Sequence, residues 1–144
     1  MTKPSLTIRR RIKASPEKLF RAWTDPANIR QWWGPDDGPV LHAEADLRVG
    51  GAFRVKFRML DGDEHECGGT YREIVPNEKL IFTWQWLSDA DEVETLVTVL
   101  LQPDGDGTAM TFTHAQFQDE KTRDGHQAGW SGSFDKLERA FGAP

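Results

Sequence analysis

The histidines are the side chains of this chain best suited to acid–base chemistry near neutral pH. The sequence contains four of them, and two are placed where they could act together. His114 ends a strand-like run, and His126 lies near the start of the long helical segment that follows. With Glu44 or His42 on an earlier strand, they could supply a general acid and a general base. The alternative interpretation is that His114 is a hydrogen-bonded core or rim histidine and that His126 is a partly exposed packing residue.

The familiar catalytic and metal-binding signatures are missing from the sequence. No P-loop, dinucleotide-binding glycine motif, nucleophile elbow or zinc-protease motif occurs. The single cysteine, Cys67, excludes an internal disulfide and a multi-thiolate metal site. The acidic stretches DGDE and DGDGT lack the glutamate that completes an EF-hand loop, and they fit hairpin turns instead. We therefore expect no essential cofactor and no metal site.

Composition limits the classes of partner. The 144 residues carry a formal net charge of -5, which disfavours general attraction to nucleic acid or to anionic lipid. No apolar run approaches the roughly 20 residues of a membrane helix, and the first residues lack a signal-peptide pattern. We expect one cytoplasmic domain spanning residues 1–144, with no nucleic-acid partner and no membrane insertion.

The stretch LIFTWQW, residues 80–86, places a large apolar side chain at every second position. This alternation predicts a strand with one apolar face, and two other runs show the same pattern. The residues predicted to point inward are Phe53, Val55, Phe57, Met59, Leu80, Phe82, Trp84, Trp86, Met110, Phe112 and His114. They either line a ligand pocket or simply fill the core, since aromatic side chains serve both purposes.

The remaining elements follow from turn and capping signals. Residues 5–13 alternate as a first strand, in which Arg10 falls on the apolar face and needs a carboxylate partner or a path to water. The motifs SPEKLF and DPANI each place a capping residue before a proline and predict two short helices, the second ending near QWWGP. Six strand-like runs follow, the first being VLHAEADLRV, and turn signals divide them, one at 89–91.

A long helix is predicted from about Asp119 to Phe141. At 100° per residue its inward stripe contains His126, Trp130, Ser133, Phe134, Leu137, Ala140 and Phe141. Gly129 and Gly132 flank this stripe, and each lowers helix stability by close to 1 kcal/mol. We therefore expect a packing or binding reason for both glycines.

The widths of these elements predict how they assemble. Seven antiparallel strands make a sheet about 34 Å across, whereas one helix covers about 10–12 Å. The sheet must therefore curl around the helix, with the two short helices closing one end. The predicted fold class is α+β, with a seven-stranded curved antiparallel sheet wrapped around a long C-terminal helix and two short helices after the first strand.

Five motifs together resemble a known superfamily. They are WTDPANIRQWWGP, DLRVGGAF, IVPNEKLIFTWQW, GTAMTFTH and DGHQAGWSGSFDKL, and the resemblance runs from about Thr7 to Phe141. The chain resembles the START-like helix-grip superfamily, also called SRPBCC, and within it the bacterial branch named after the activator of heat-shock protein 90 ATPase homologue. The resemblance implies the helix-grip fold and a deep cavity, which in relatives holds lipids, sterols, polyketides or plant hormones.

The predicted ligand-binding residues combine the inward strand faces, the helix stripe and the motifs of the resemblance. They are Trp33, Phe53, Phe57, Trp84, Trp86, Phe112, His114, His126, Trp130 and Phe134. We expect them to bind a small hydrophobic or aromatic ligand without a cofactor.

Two other functions stay open at this point. One is a cofactor-free cyclase, dehydratase or hydrolase with His114 as general base, for which His126 and Glu44 are further catalytic candidates. The other, from the family name, is a chaperone-interaction module linked to stress response. A chaperone partner is disfavoured, because the eukaryotic co-chaperone binds partly through a separate N-terminal domain that this sequence lacks. Exposed strand edges are compatible with a homodimer.

Overall fold

The computed structural model describes residues 3–87 and 93–142, so the predicted turn at 89–91 lies outside the described residues. Within these ranges one antiparallel sheet of seven strands surrounds the last helix, in the strand order β1-β7-β6-β5-β4-β3-β2. The elements in chain order are β1 (Leu6–Ile12), α1 (Pro16–Thr24), α2 (Pro26–Ile29), β2 (Val40–Ala45), β3 (Ala52–Arg58), β4 (Glu64–Val75), β5 (Lys79–Trp86), β6 (Thr95–Asp104), β7 (Gly107–Ala115) and α3 (Glu120–Phe141). The predicted α+β helix-grip fold is confirmed.

The helices begin where the capping residues predict. The Ser15 hydroxyl accepts from the backbone N–H of Lys18 to begin α1, and the Asp119 carboxylate accepts from that of Thr122 to begin α3. The second short helix, α2, is shorter than predicted and ends at Ile29. The chain turns after it, and this turn buries the side chains of both Trp32 and Trp33.

Strand β2 also ends earlier than the sequence predicts. The run VLHAEADLRV predicts a strand reaching Val49, but β2 stops at Ala45. The backbone N–H of Asp46 donates to the carbonyl of Ala52, and residues 46–51 form the connection to β3. Both Leu47 and Val49 are consequently exposed.

The charged residue on the inner face of β1 has the partner that the sequence requires. The Arg10 guanidinium lies 2.8 Å from the Asp135 carboxylate on α3, and it also donates to the carbonyl of Ser131. This ion pair lies where β1 meets the long helix. On the same helix the predicted inward stripe is correct except for Ala140, which is exposed.

The hollow between sheet and helix is largely filled. Trp23 of α1 inserts between them, with its ring centroid 5.9 Å from that of Phe112 on β7 and 6.0 Å from that of Phe134 on α3. Trp32 lies against Trp23 at 4.7 Å between centroids. The two short helices therefore do more than close one end, because their tryptophans occupy much of the space that strand and helix widths alone leave open. A small pocket remains between the sheet and α3 in the described part of the chain.

Candidate functional site

The pocket lies between the curved sheet, helix α3 and the loop after α2, and has a volume of about 100 Å³. Its wall is formed by Trp33, Gly34, Pro35, Phe57, Trp84, Trp86, His126, Gly129, Trp130 and Ser133. Drug-sized ligands occupy clefts of about 300–1,000 Å³, so this space is well below that range. The deep cavity implied by the family resemblance is therefore reduced here to a small aromatic pocket.

The wall divides into a buried floor and a half-buried mouth. The floor consists of aromatic rings with Ser133, and the side chains of Trp33, Trp84 and Trp130 are no more than 5% exposed. Trp33 and Trp84 are stacked at an angle of 23° and a centroid distance of 5.8 Å. The mouth is lined by half-buried residues, which are Pro35, Trp86, His126 and Gly129.

Six of the ten predicted ligand-binding residues lie on this wall, namely Trp33, Phe57, Trp84, Trp86, His126 and Trp130. The other four lie elsewhere. Phe53 borders a separate void of about 10 Å³ beside Tyr71 and Phe82, too small for more than one water molecule. Phe112, His114 and Phe134 are completely buried in the core and are not part of the wall.

His114 is held in a chain of three hydrogen bonds behind the pocket. The indole N–H of Trp130 donates to its Nδ1 at 3.1 Å, so Nδ1 must be unprotonated. Its Nε2 then carries the proton and donates to the Thr95 hydroxyl at 2.7 Å, and that hydroxyl donates to the Trp84 carbonyl. Burial, followed by the neighbouring His126, lowers the pKa of His114 well below its ordinary value.

His126 is also bonded through both ring nitrogens. The indole N–H of Trp86 donates to its Nε2 at 3.0 Å, and its Nδ1 donates to the Thr122 carbonyl at 2.9 Å, one turn earlier in the helix. Burial lowers the pKa of His126, although the bond to Thr122 opposes this shift. The ring is therefore neutral at pH 7 and presents no free nitrogen to the pocket.

This geometry argues against the acid–base interpretation. The two imidazoles do approach each other, with centroids 5.4 Å apart, but all four of their nitrogens already have protein partners. Glu44 is on the opposite face of the sheet, where it is about half exposed and lies near His42 and Arg54. Neither Glu44 nor His42 can therefore complete a catalytic pair with His114.

The indole N–H groups of the wall differ in whether they have a hydrogen-bond partner. Those of Trp86 and Trp130 donate to the two histidines, and the Trp33 side chain lies where it favours a lower pKa of the Cys67 thiol. Burial nevertheless raises the pKa of the Cys67 thiol, which is fully buried. Among the described residues, the N–H of Trp84 is buried without a hydrogen-bond partner.

Four residues of the wall are not among the ten predicted ligand-binding residues. They are Gly34, Pro35, Gly129 and Ser133. They belong to the WGP loop and to the small-residue positions of α3, so the two unexplained glycines of that helix were the available signal. The Ser133 hydroxyl donates to the Gly34 carbonyl at 2.8 Å. The Lys136 ammonium donates to the Trp33 and Asp36 carbonyls, and thereby holds the loop against α3.

The described residues form neither a metal-binding cluster nor a membrane-spanning helix. Across residues 3–87 and 93–142, no group of three or more histidine, cysteine, aspartate or glutamate side chains is arranged to hold a metal ion. None of the helices in the same ranges has the length and apolar character needed to cross a membrane.

Solved structures share this fold over nearly the whole chain. Protein CV1439 from Chromobacterium violaceum is 28% identical, with 97% of this chain and 98% of that one aligned at a TM-score of 0.87. The AHSA1 protein SPO3351 from Silicibacter pomeroyi is 27% identical, covering 95% and 96% of the two chains at a TM-score of 0.83. Protein Ms6760 from Mycobacterium smegmatis, at 17% identity, has the same fold, with 97% and 91% of the chains covered at a TM-score of 0.84.

Comparison with curated proteins finds no significant match. The family described as "Activator of Hsp90 ATPase homolog 1-like protein" matches residues 13–142, which is most of the 144-residue chain. The resemblance seen in the sequence motifs is thereby confirmed. The chain belongs to the activator of Hsp90 ATPase homolog 1-like family.

Proposed function

We propose that this protein binds one small hydrophobic or aromatic molecule in the pocket between the curved sheet and α3, and that binding requires no cofactor. The observation that carries the proposal is the wall itself. Four indole rings, those of Trp33, Trp84, Trp86 and Trp130, contact one another at centroid distances of 5.1–5.8 Å and still line an open space that they do not fill. An unfilled apolar space lowers stability by about 24 cal/mol for each Å³, so leaving this pocket empty costs the protein roughly 2 kcal/mol.

The size of the space sets the size of the ligand. An engineered apolar cavity of about 150 Å³ binds benzene, so a pocket of about 100 Å³ with an open mouth accepts one ring and little more. Sterols, polyketides and long acyl chains are much larger than this. We therefore expect ligands smaller than those bound by better-known members of the superfamily.

A binding role is favoured over catalysis because the wall lacks reactive groups. The Ser133 hydroxyl is bonded to the Gly34 and Gly129 carbonyls, and both nitrogens of His126 are occupied. The buried His114 lies behind Trp84 and Trp130, where a ligand in the pocket cannot reach it.

The test is a titration followed through the indole N–H signals in a ¹H–¹⁵N NMR spectrum, with acetophenone as the probe. The chain has six tryptophans, which give six such signals. The side chains of Trp33, Trp84, Trp86 and Trp130 line the pocket. Their four signals should therefore shift, in a saturable manner, as the probe is added. The N–H of Trp32, which is buried and bonded to the Ala22 carbonyl, is an internal control and should not move.

Two results would contradict the proposal. One is an unchanged spectrum at millimolar acetophenone and with a panel of other small aromatic compounds. The other is a shift of Trp32 equal to those of the wall tryptophans, because this would indicate general loosening of the core instead of binding in the pocket.

A further inference from the structure

We infer that the pocket takes a single uncharged aromatic ring, and that Gly129 keeps the entrance wide enough for it because no side chain at this position narrows the mouth beside Pro35. The inference rests on the proposed binding function and adds to it the charge of the ligand and a residue that controls its entry.

Packing does not explain why residue 129 is glycine. The residue lies in the middle of α3 with ordinary helical geometry, where glycine is a poor helix former. A Cβ atom at this position would meet only the Cβ of Pro35, at 3.6 Å, which is a normal van der Waals contact. At Gly132, one turn later, a Cβ would collide with the Pro35 carbonyl oxygen, so packing does require glycine there.

A methyl group at residue 129 would therefore fill the space between the helix and Pro35, at one side of the mouth. The mouth is wider by that methyl group with glycine than with any other residue at this position, so a ring that enters beside Pro35 can lie closer to the helix. The rest of the mouth is formed by Trp86 and His126, whose rings are linked by a hydrogen bond and offer flat surfaces.

The wall also selects against charge. None of its residues carries a formal charge, because His126 is held neutral by burial and by its two hydrogen bonds. The Lys136 ammonium lies beside the loop, 3.7 Å from where a Cβ at Gly34 would be, but it is bonded to two backbone carbonyls. A carboxylate at the half-buried mouth would lose part of its hydration without gaining a partner on the wall, so an uncharged ring is preferred.

The experiment compares Gly129→Ala with Gly125→Ala. A Cβ at Gly125 meets no atom within 4 Å, so the control gains the same helix propensity without touching the pocket. We expect both variants to raise the Tm by about 3 °C. Affinity for acetophenone should fall at least tenfold in G129A, since the methyl group narrows the mouth where the bound ring lies beside Pro35, and should change less than twofold in G125A.

Two further measurements test the shape and the charge separately. Pro35→Gly in the G129A background removes the atom that the new methyl group meets, and should restore most of the lost affinity. For the wild-type protein, benzoate has nearly the shape of acetophenone but carries a charge, and it should bind at least tenfold more weakly.

The inference is overturned if G129A binds acetophenone within twofold of the wild type, if G129A has a lower Tm than the wild type, or if benzoate binds as tightly as acetophenone. In each case acetophenone still binds to the wild-type protein, so the proposed function survives. If the wild-type protein binds no aromatic compound, the proposed function fails and this inference fails with it.

Discussion

Replacing Trp84 or Trp130 by phenylalanine measures how much the buried hydrogen-bond chain behind the pocket contributes to the free energy of unfolding. Both side chains are almost fully buried, at 4% and 5% exposure, so each substitution removes a similar apolar volume and should cost about 1–2 kcal/mol. Trp130→Phe also leaves the buried Nδ1 of His114 without its donor, which adds about 1–3 kcal/mol. Trp84→Phe loses no hydrogen bond, because the Trp84 N–H has no partner among the described residues.

We therefore expect W130F to be less stable than W84F by about 1–3 kcal/mol, measured as the free energy of unfolding in urea. His114→Leu in both backgrounds is the control, because it removes the acceptor. The difference between the two tryptophan variants should shrink once His114 is replaced, through a coupling of about 1–2 kcal/mol. If W84F is as unstable as W130F, the assignment of hydrogen bonds in the core is wrong.

Three further predictions concern pH and the loop over the pocket. Burial lowers the pKa of His114 and His126 in the folded state, so below pH 6.5 the unfolded chain binds more protons than the folded chain. The free energy of unfolding should therefore fall from pH 7 to pH 5, by up to about 1.4 kcal/mol per pH unit for each histidine. A pH-independent urea midpoint over this range would contradict the burial. Gly132→Ala should lower stability by about 1–3 kcal/mol in the same assay, because its Cβ would collide with the Pro35 carbonyl; a stabilised variant would refute this. Lys136→Met should lower it by about 1–2 kcal/mol through two lost hydrogen bonds to the loop, and an unchanged value would show that these bonds contribute nothing.

The fold could be predicted because its signals are local and repeated. Alternation along LIFTWQW fixes which face of β5 is inward, and the capped prolines begin α1 and α2 where the structure has them. The end of β2 was missed because the alternation of apolar residues continues through Leu47 and Val49, although these residues belong to a hairpin connection. Periodicity does not record where a strand stops pairing.

The site was predicted only in part, because its shape depends on distances between elements that are remote in sequence. Comparing strand and helix widths shows that a hollow must exist, but not that Trp23 enters it from α1. That insertion places Phe112 and Phe134 in packed core. Likewise, the sequence offers His114 for chemistry, and only the structure shows that Trp130 and Thr95 occupy both of its nitrogens.

The central claim is that the space among the four indoles of the wall admits a flat aromatic ring. A crystal structure of the protein with acetophenone tests it most directly. We predict difference density for one ring in contact with Trp33, Trp84 and Trp130, with its edge beside Gly129 and its acetyl group at the mouth. A structure in which the pocket has closed around its own tryptophans, or in which acetophenone lies only on the outer surface, would contradict the claim.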